Sequence, residues 1–390
     1  MAVLNVRRIM LRGLAGSVAL LCASAPAFSQ APSGPVAAGT CRPQVNGLHF
    51  ICGAQNPEDL VPVPGTRWLI ASGYNPGGGL PAGHGVRLID TVAKTVAPLY
   101  RGDTIQGPHA TGACGGAPPP TLETHGLYLE PDPVPGRYTL YAVSHAPRES
   151  VEIFSLTADS RTVRLTWREC RLMPEGMRGN GVVVLADGTI LTTVLNAPGH
   201  AAADGSPRGL VLAWGPGDEA FRPVAGTELA GDNGIEVSKD KQEFYVVSFN
   251  DATVYAFSSA APRGALRSAR APGFVPDNLR WSGDLLIGTG PMYDEPACGG
   301  TRREAAQVLG EAGRKPGGGC NRGYVAAALD PSAMTWKILA YAEPNPQIGI
   351  VSTGVLVGDT LWIGAALSPG VAYRRLPGPG ADQPGRRGAK

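Results

Sequence analysis

The sequence predicts an all-β fold, and three observations lead to that prediction. Short apolar runs alternate with turns rich in glycine, proline, aspartate and asparagine over most of the 390 residues, as in chains built from many short strands. Only residues 301–313 carry a helix-like pattern. A unit of polar residue, short strand, turn and second strand recurs six times, and repeats of this length are typical of a six-bladed β-propeller.

The repeat places one polar residue at the start of each unit. These opening residues are Glu58, His125, Asn180, Asn233, Asn278 and Thr353. They lie 67, 55, 53, 45 and 75 residues apart, and the last interval is the longest because it contains residues 298–320. Because equivalent positions in the blades of a propeller lie around one axis, the six side chains are predicted to meet at the mouth of a central channel.

Composition limits the classes of partner. The chain has 54 glycines and 36 prolines, yet it is 43% hydrophobic and therefore able to form a core. Its net charge of +2 is too small to indicate binding to nucleic acid or to an acidic membrane surface. The oligomeric state is left open.

The N-terminus has the features of an export signal. Arginines precede a short apolar run at 14–22, and small residues follow it, which is the order of regions in a signal peptide. We expect residues 1–29 to be removed, with cleavage after Ala27 or Ser29. A twin-arginine signal and a lipid anchor at Cys22 are less favoured alternatives. The mature protein is predicted to be periplasmic or secreted, without stable membrane insertion.

The rest of the chain divides into three parts. Residues 30–40 are predicted to be a flexible segment, and 41–377 to be the propeller, with an insertion at 298–320. The proline- and glycine-rich residues 378–390 are predicted to be a disordered tail.

Six cysteines remain after removal of the signal peptide. An even number in an exported chain favours disulfides over a zinc or redox site, and no CxxC motif is present. Sequence alone permits many pairings. The preferred pairs are Cys41–Cys52 and Cys298–Cys320, which are close in sequence. Cys114–Cys170 is then the pair that is left.

The chemistry of the ring predicts a calcium site. Ca²⁺ takes six to eight oxygen ligands from carboxylates, amide carbonyls, main-chain carbonyls and water. Two carboxylates match the charge of the ion, and amide oxygens extend the set. Mg²⁺ is the second choice, and Zn²⁺ would require more His or Cys. The predicted ligands are Glu58, Asn180, Asn233, Asp277 and Asn278.

An alternative interpretation treats these residues as turns. Asn-Gly is a strong hairpin signal, and it occurs at 180–181 and 233–234. However, a separate turn at 186–188 already serves the unit that begins at Asn180. Asp59 could likewise be a solvated turn acid. The shared position of the opening residues in the repeat favours a ligand set.

Two histidines are candidates for acid–base chemistry. His125 lies on the ring, and His145 lies at the far end of the next strand, beyond the turn PDPVPG. Strand pairing brings them within a few residues of each other, but whether they share a face depends on a one-residue register shift. Histidine near neutral pH suits a general base. A structural or surface role is the alternative for His145.

Several segments resemble the paraoxonase (arylesterase/lactonase) family of six-bladed propellers. They are PEDLVPVPGTRWLIASG, HGLYLE, YAVSHAPRESVEIF, GDNGIEVSKDKQEFYVVS and PDNLRW, in this order from Glu58 onward. Gluconolactonase and strictosidine-synthase-like propellers are more distant matches. The resemblance implies that the five predicted ligands hold a catalytic calcium and that His125 and His145 form a dyad that activates water.

The resemblance also implies a second, structural calcium. Asp59 and the main chain of Leu127 match two of its ligands, but the third acidic ligand falls at Gly181, which has no side chain. The implied activity is hydrolysis of lactones or esters, so the partner that the resemblance implies is a small-molecule lactone or ester. The alternatives are a non-catalytic propeller with a structural calcium and a partner-binding surface, and a related hydrolase of sugar lactones.

Overall fold

The computed structural model describes residues 41–76, 84–105, 114–201, 208–293 and 322–377. Within them the regular structure consists of twenty-five β-strands and contains no helix. The strands form six antiparallel sheets of four or five strands. The predicted signal peptide, residues 30–40, the insertion at 298–320 and the tail at 378–390 lie outside the described residues.

The first three blades follow the chain in order. Blade 1 consists of β3 (Leu60–Pro62), β4 (Trp68–Ala71), β5 (Arg87–Asp90) and β6 (Thr95–Pro98). Blade 2 consists of β7 (Glu123–Pro131), β8 (Arg137–Ala146), β9 (Ser150–Ala158) and β10 (Val163–Leu172). Blade 3 consists of β11 (Val182–Val184), β12 (Ile190–Val194), β13 (Leu210–Trp214) and β14 (Arg222–Pro223).

Blades 4 and 5 also follow the chain in order, whereas blade 6 combines strands from both ends of the described chain. Blade 4 consists of β15 (Asp232–Val237), β16 (Glu243–Ser248), β17 (Thr253–Ser258) and β18 (Arg267–Arg270). Blade 5 consists of β19 (Asn278–Ser282), β20 (Leu285–Pro291), β21 (Tyr324–Asp330) and β22 (Thr335–Ala342). Blade 6 consists of β23 (Gly349–Val357), β24 (Thr360–Leu367), β25 (Gly370–Arg375), β2 (Leu48–Cys52) and β1 (Gln44–Val45).

The six blades close into a ring, as predicted. The innermost strands β3, β7, β11, β15, β19 and β23 contact one another in succession, and β23 contacts β3. Closure is completed because β2 pairs with β25, with His49 opposite Tyr373. Apolar clusters fill the space between successive blades; Leu60 and Leu69 of blade 1, for example, pack with Trp362 of blade 6. Burial of these faces holds the blades together.

Two of the predicted disulfides are present. Cys41 bonds to Cys52 beside the strands that close the ring, and Cys114 bonds to Cys170 at blade 2. The predicted pair Cys298–Cys320 lies outside the described residues. The part of the chain that the structure describes also has no helix long and apolar enough to cross a membrane.

Neither Asn-Gly pair is a hairpin turn, because Asn180-Gly181 directly precedes inner strand β11 and Asn233-Gly234 lies within inner strand β15. Glycines at this position allow neighbouring strands to approach closely. Gly126 N–H donates to Asn180 O at 3.0 Å, and Gly234 N–H donates to Asp277 O at 3.0 Å. A Cβ on either glycine would lie 2.3 Å from that same carbonyl oxygen. Neighbouring inner strands therefore converge at the ring, and only glycine permits this approach.

Candidate functional site

The convergence of the inner strands brings the predicted ligands to one end of the channel. Each lies at the beginning of an inner strand or within two residues of it, so the repeat gives all of them the same height along the axis. All are 2–6% exposed. They are Glu58 before β3, Asn180 before β11, Asn233 in β15, Asp277 before β19 and Asn278 at the first position of β19.

Side-chain contacts connect these residues across blades. Asn278 Nδ2 donates to Glu58 Oε1 at 2.7 Å, which joins blades 5 and 1. The Asn233 side chain hydrogen-bonds Asp277. His125 Nε2 lies 3.5 Å from Glu58 Oε2. Side chains that are far apart in sequence thus form one buried cluster around the axis.

Asn180 enters the cluster through the main chain. Its carbonyl oxygen accepts the Gly126 N–H, next to His125, and its own N–H donates to Thr193 O at 2.8 Å. Thr193 Oγ1 in turn donates to Asn233 O. These bonds hold the start of β11 between the His125 and Asn233 positions, which is the place in the ring that the repeat predicts.

The two ligand carboxylates repel each other in a buried setting. Burial raises the pKa of Glu58 well above its usual range, and the charges of Asp277 and Asp59 raise it further. Burial likewise raises the pKa of Asp277 to about 8. Two close buried carboxylates are costly unless a cation accompanies them. The charge of the cluster therefore favours a bound positive ion.

The oxygen atoms of the cluster fit such an ion. Among the described residues, Glu58 Oε2, Asn233 Oδ1 and Thr353 Oγ1 are buried and accept no hydrogen bond. Buried polar atoms without a partner are rare and require explanation. The same part of the chain contains no group of three or more His, Cys, Asp or Glu side chains placed to hold a metal. The three atoms without a partner belong to a carboxylate, an amide and a hydroxyl group, and oxygen donors of these kinds suit Ca²⁺.

The two predicted histidines are in contact. A register shift between Thr124 and Leu127 leaves two residues of β7 opposite one residue of β8. This bulge decides the facing of the His125 ring, which the sequence pattern left open. His125 Nδ1 lies 3.0 Å from His145 Nε2.

Glu149 extends the histidine pair, and sequence reasoning missed it. Glu149 Oε2 lies 2.8 Å from His145 Nδ1, and Arg178 Nε lies 3.2 Å from Glu149 Oε1. Glu149 follows His145 by four residues, and this spacing was the available signal for a contact between them. It indicates a contact only if the chain turns back between the two residues. β8 ends at Ala146 and β9 begins at Ser150, so the chain does turn there.

Hydrogen bonding sets the proton positions on both rings. If Glu149 accepts from His145 Nδ1–H, then His145 Nε2 accepts from His125 Nδ1–H. His125 Nε2 is left with a lone pair, and it faces Glu58. Burial lowers the pKa of His125 well below its usual range and that of His145 to about 3, with Arg178 acting in the same direction. Both rings are therefore neutral at pH 7.

Tyr74 packs against this pair and was also missed. Its ring stacks on His125 with centroids 4.4 Å apart and planes 22° apart. It meets His145 edge-on at 6.0 Å. Burial raises the pKa of Tyr74 to about 12, so the phenol is neutral at pH 7. Tyr74 follows β4 in an irregular segment, where periodicity gives no signal.

The residues matched to a second calcium contact a cation that the chain itself provides. Arg280 Nε donates to Asp59 Oδ1 at 3.0 Å, and its Nη2 donates to Leu127 O at 2.8 Å. Arg280 was not identified as a site residue from the sequence. The signal was present, because alternate residues of a strand share a face, and Arg280 is two residues after Asn278.

Comparisons with known proteins add little to this geometry. No protein-family model matches the sequence, and no curated protein matches it. Solved structures similar to this chain include a candidate gluconolactonase, with 14% identity over 85% of this chain and 93% of that one and a TM-score of 0.46. The calcium-binding protein regucalcin from Agrobacterium tumefaciens has 9% identity over 85% and 94%, with a TM-score of 0.45.

A luciferin-regenerating enzyme has 13% identity over 89% of this chain and 95% of that one, with a TM-score of 0.42. TM-scores below 0.5 at this level of identity carry no conclusion about activity. The propeller fold rests on the strand order and ring closure of the chain itself, and the resemblance to paraoxonases stays a prediction from sequence motifs.

Proposed function

We propose that this protein is a calcium-dependent hydrolase of small lactones or esters. One observation carries the proposal: the lone pair of His125 Nε2 faces Glu58 Oε2, a buried carboxylate oxygen that accepts no hydrogen bond among the described residues. A basic nitrogen thus lies beside oxygens that suit a hard cation. A general base beside a bound metal ion that polarises the carbonyl is a combination that promotes the hydrolysis of carboxylic esters.

The proposed roles follow from the donor atoms. A Ca²⁺ held by Glu58, Asn180, Asn233, Asp277 and Asn278 would polarise the substrate carbonyl and stabilise its developing negative charge. His125 Nε2 accepts the proton of the attacking water. Its Nδ1–H bond to His145 lets the second ring share the resulting positive charge, and Glu149 stabilises that charge from the far side.

The surroundings hold the base in position. The Tyr74 ring lies flat on His125 and limits its rotation. His145 is 3% exposed and His125 12% exposed at the side chain, so His125 is the more accessible of the two rings. The position of His125 between Tyr74 and Glu58 directs Nε2 toward the ligand cluster.

Location outside the cytoplasm is part of the proposal. The disulfides Cys41–Cys52 and Cys114–Cys170 are typical of an oxidising compartment, and they agree with the signal peptide predicted from the sequence. The exported form is therefore the one to assay.

A chelator experiment tests the proposed function. The purified exported protein is assayed on a panel of lactones and aryl esters, before and after removal of metal with EGTA. We expect turnover to fall by at least about 100-fold without metal, as when a main electrophile is lost, and to return with Ca²⁺. Bound calcium without turnover on any substrate would instead indicate the non-catalytic propeller.

The contacts of Glu149 predict a pH dependence. Its neighbours are His145, Arg178, the Gly179 N–H and the charge of Glu123. Burial raises the pKa of Glu149 to about 7, although Arg178 opposes this. Glu149 is thus charged only above about pH 7, and we expect kcat/KM to fall as pH decreases through that value.

Replacing Glu149 by Gln tests the same contact. Glu149→Gln is expected to reduce kcat/KM by about 10–100-fold, as when a partner of a functional histidine is lost, and to remove the decline below pH 7. Glu123→Gln is the matched control, because burial also raises the pKa of Glu123 to about 7, but its Oε1 accepts the Asn75 N–H instead of a histidine proton. An unchanged pH profile in Glu149→Gln would contradict the role of Glu149.

A further inference from the structure

Arg280 lies in the channel below the ligand cluster and is nearly closed off from solvent. It is the third residue of β19 and is 3% exposed. The residues it contacts come from four of the inner strands or their starts: β3, β7, β15 and β19 itself. A fully buried arginine on a propeller axis requires partners for its charge and for all its N–H groups.

Each N–H group of Arg280 has an acceptor. Nε donates to Asp59 Oδ1 at 3.0 Å, and Nη2 donates to Asp59 Oδ2 and to Leu127 O. Nη1 donates to Leu279 O at 2.7 Å and approaches Ile235 O at 3.5 Å. The five donors of the guanidinium thus face carboxylate and main-chain oxygens, which are also the usual ligands of Ca²⁺.

The charges balance in the same way. Asp59 is 0% exposed and pairs with Arg280, and Glu236 Oε2 lies 3.7 Å from Arg280 Nη1. The guanidinium charge is thus paired with two buried carboxyl groups, and such pairing is what a buried charge requires.

We infer that Arg280 takes the place of the second, structural calcium, so that the channel holds a permanent cation and has room for one Ca²⁺ at most. The oxygens of Asp59 and Leu127 already bind the guanidinium. The family resemblance implies a second calcium ion, whereas here the oxygens matched to its site bind an arginine. This inference does not depend on whether the protein is an enzyme.

Gly181 supports this inference independently. A Cβ at this position would lie 3.0 Å from both Cγ2 and N of Ile235. The acidic side chain that a second calcium would need at position 181 therefore has little space. Loss of that acid and gain of Arg280 are complementary, because a guanidinium carries one positive charge where Ca²⁺ carries two, and it therefore needs one carboxylate charge fewer.

Calcium stoichiometry tests the inference. Bound calcium is measured by mass spectrometry on the full-length exported protein and on Arg280→Ala, after equilibration with 1 mM CaCl₂ (about a thousand times a micromolar Kd) and desalting. We expect one ion per chain in the wild type and one more in Arg280→Ala, since Asp59, Glu236 and the carbonyl of Leu127 would then lack the cation that they contact in the wild type. Arg164→Ala, at an exposed ion pair, is the control and should match the wild type.

Thermal unfolding provides a second readout. Breaking a buried ion pair strands a charge, so Arg280→Ala should lower Tm in EGTA by on the order of 10 °C, and added Ca²⁺ should restore much of the loss. Arg280→Lys keeps the charge with fewer donors and should keep the wild-type calcium count. If Arg280→Ala is insoluble, the number of calcium ions bound per wild-type chain decides. One ion or none supports the inference.

Two results would overturn it. One is two calcium ions per wild-type chain, which would leave the proposed hydrolase function intact. The other is a folded Arg280→Ala that gains no ion and loses no stability. A wild-type chain with no calcium, combined with a gain of one ion in Arg280→Ala, would refute the catalytic calcium and support the role of Arg280.

Discussion

Replacing Glu58 by Gln is expected to weaken calcium binding by at least about 100-fold, which corresponds to about 2.7 kcal/mol. Glu58 supplies one of the two proposed ligand carboxylates, and its Oε2 is one of the buried oxygens that accept no hydrogen bond within the described chain. The amide keeps the shape and the contact with Asn278 but removes the charge. Isothermal titration with Ca²⁺ measures the change.

The same substitution should act in the opposite direction on the metal-free protein. Without a cation, burial and the charges of Asp277 and Asp59 raise the pKa of Glu58 well above its usual range, so folding at neutral pH costs either the uptake of a proton or the burial of an unpaired charge. The neutral amide of Glu58→Gln avoids this cost, so its Tm in EGTA should equal or exceed that of the wild type. The rise in Tm on addition of Ca²⁺ should shrink. A variant that binds calcium as tightly as the wild type would disprove the ligand assignment.

Glu152→Gln is the matched control for Glu58. Glu152 is likewise buried, but it is bound to Arg148 and to Trp167 Nε1 in the outer part of blade 2. We expect Glu152→Gln to lower Tm by the same amount with and without calcium, because its partners are protein groups. The contrast separates a metal ligand from a structural buried carboxylate.

Replacing His125 by Gln is expected to lower kcat/KM by about 100- to 10,000-fold, the usual contribution of a general base. Calcium stoichiometry should not change, because His125 is absent from the proposed ligand set. Gln can still donate to His145 but has no basic nitrogen at the position of Nε2. Steady-state kinetics on the best substrate of the panel measures kcat/KM, and mass spectrometry measures the bound calcium. Circular dichroism checks that the variant is folded.

His49→Gln serves as the control for His125. His49 lies on β2, stacks on Tyr373 at 5.2 Å and is far along the sheet from the inner strands. Its replacement should leave kcat/KM at the wild-type value. If His125→Gln also retained full activity with its calcium bound, the base would have to be another group, and the proposed mechanism would fall.

The fold was predictable because its signal is repeated. Each blade begins with a polar residue and an apolar strand, so six weak matches reinforced one another, and the strand order confirmed the six-bladed propeller. Ring closure by β2 and β25 was not predicted. Closure joins residues more than 300 positions apart, and strand patterns do not identify their partners over such distances.

The sequence predicted where in the fold the candidate site lies, but it did not identify all the residues that form it. The repeat placed Glu58, Asn233, Asp277 and Asn278 at equivalent starts of inner strands, and their side chains do form one buried cluster. Tyr74 and Glu149 lie outside the repeated positions, in segments whose path depends on tertiary packing. The sequence pattern therefore had no means of assigning them to the histidine pair.

The sequence by itself determined the class of fold and the common position of the proposed oxygen ligands and His125, because each depends on residue type at a repeated position. Only the tertiary structure decided how those residues face one another. A bulge in β7 turns His125 toward His145, and the packing of four blades brings Arg280 onto Asp59 and Leu127. Orientation depends on register and on neighbouring strands, and a list of residue types records neither.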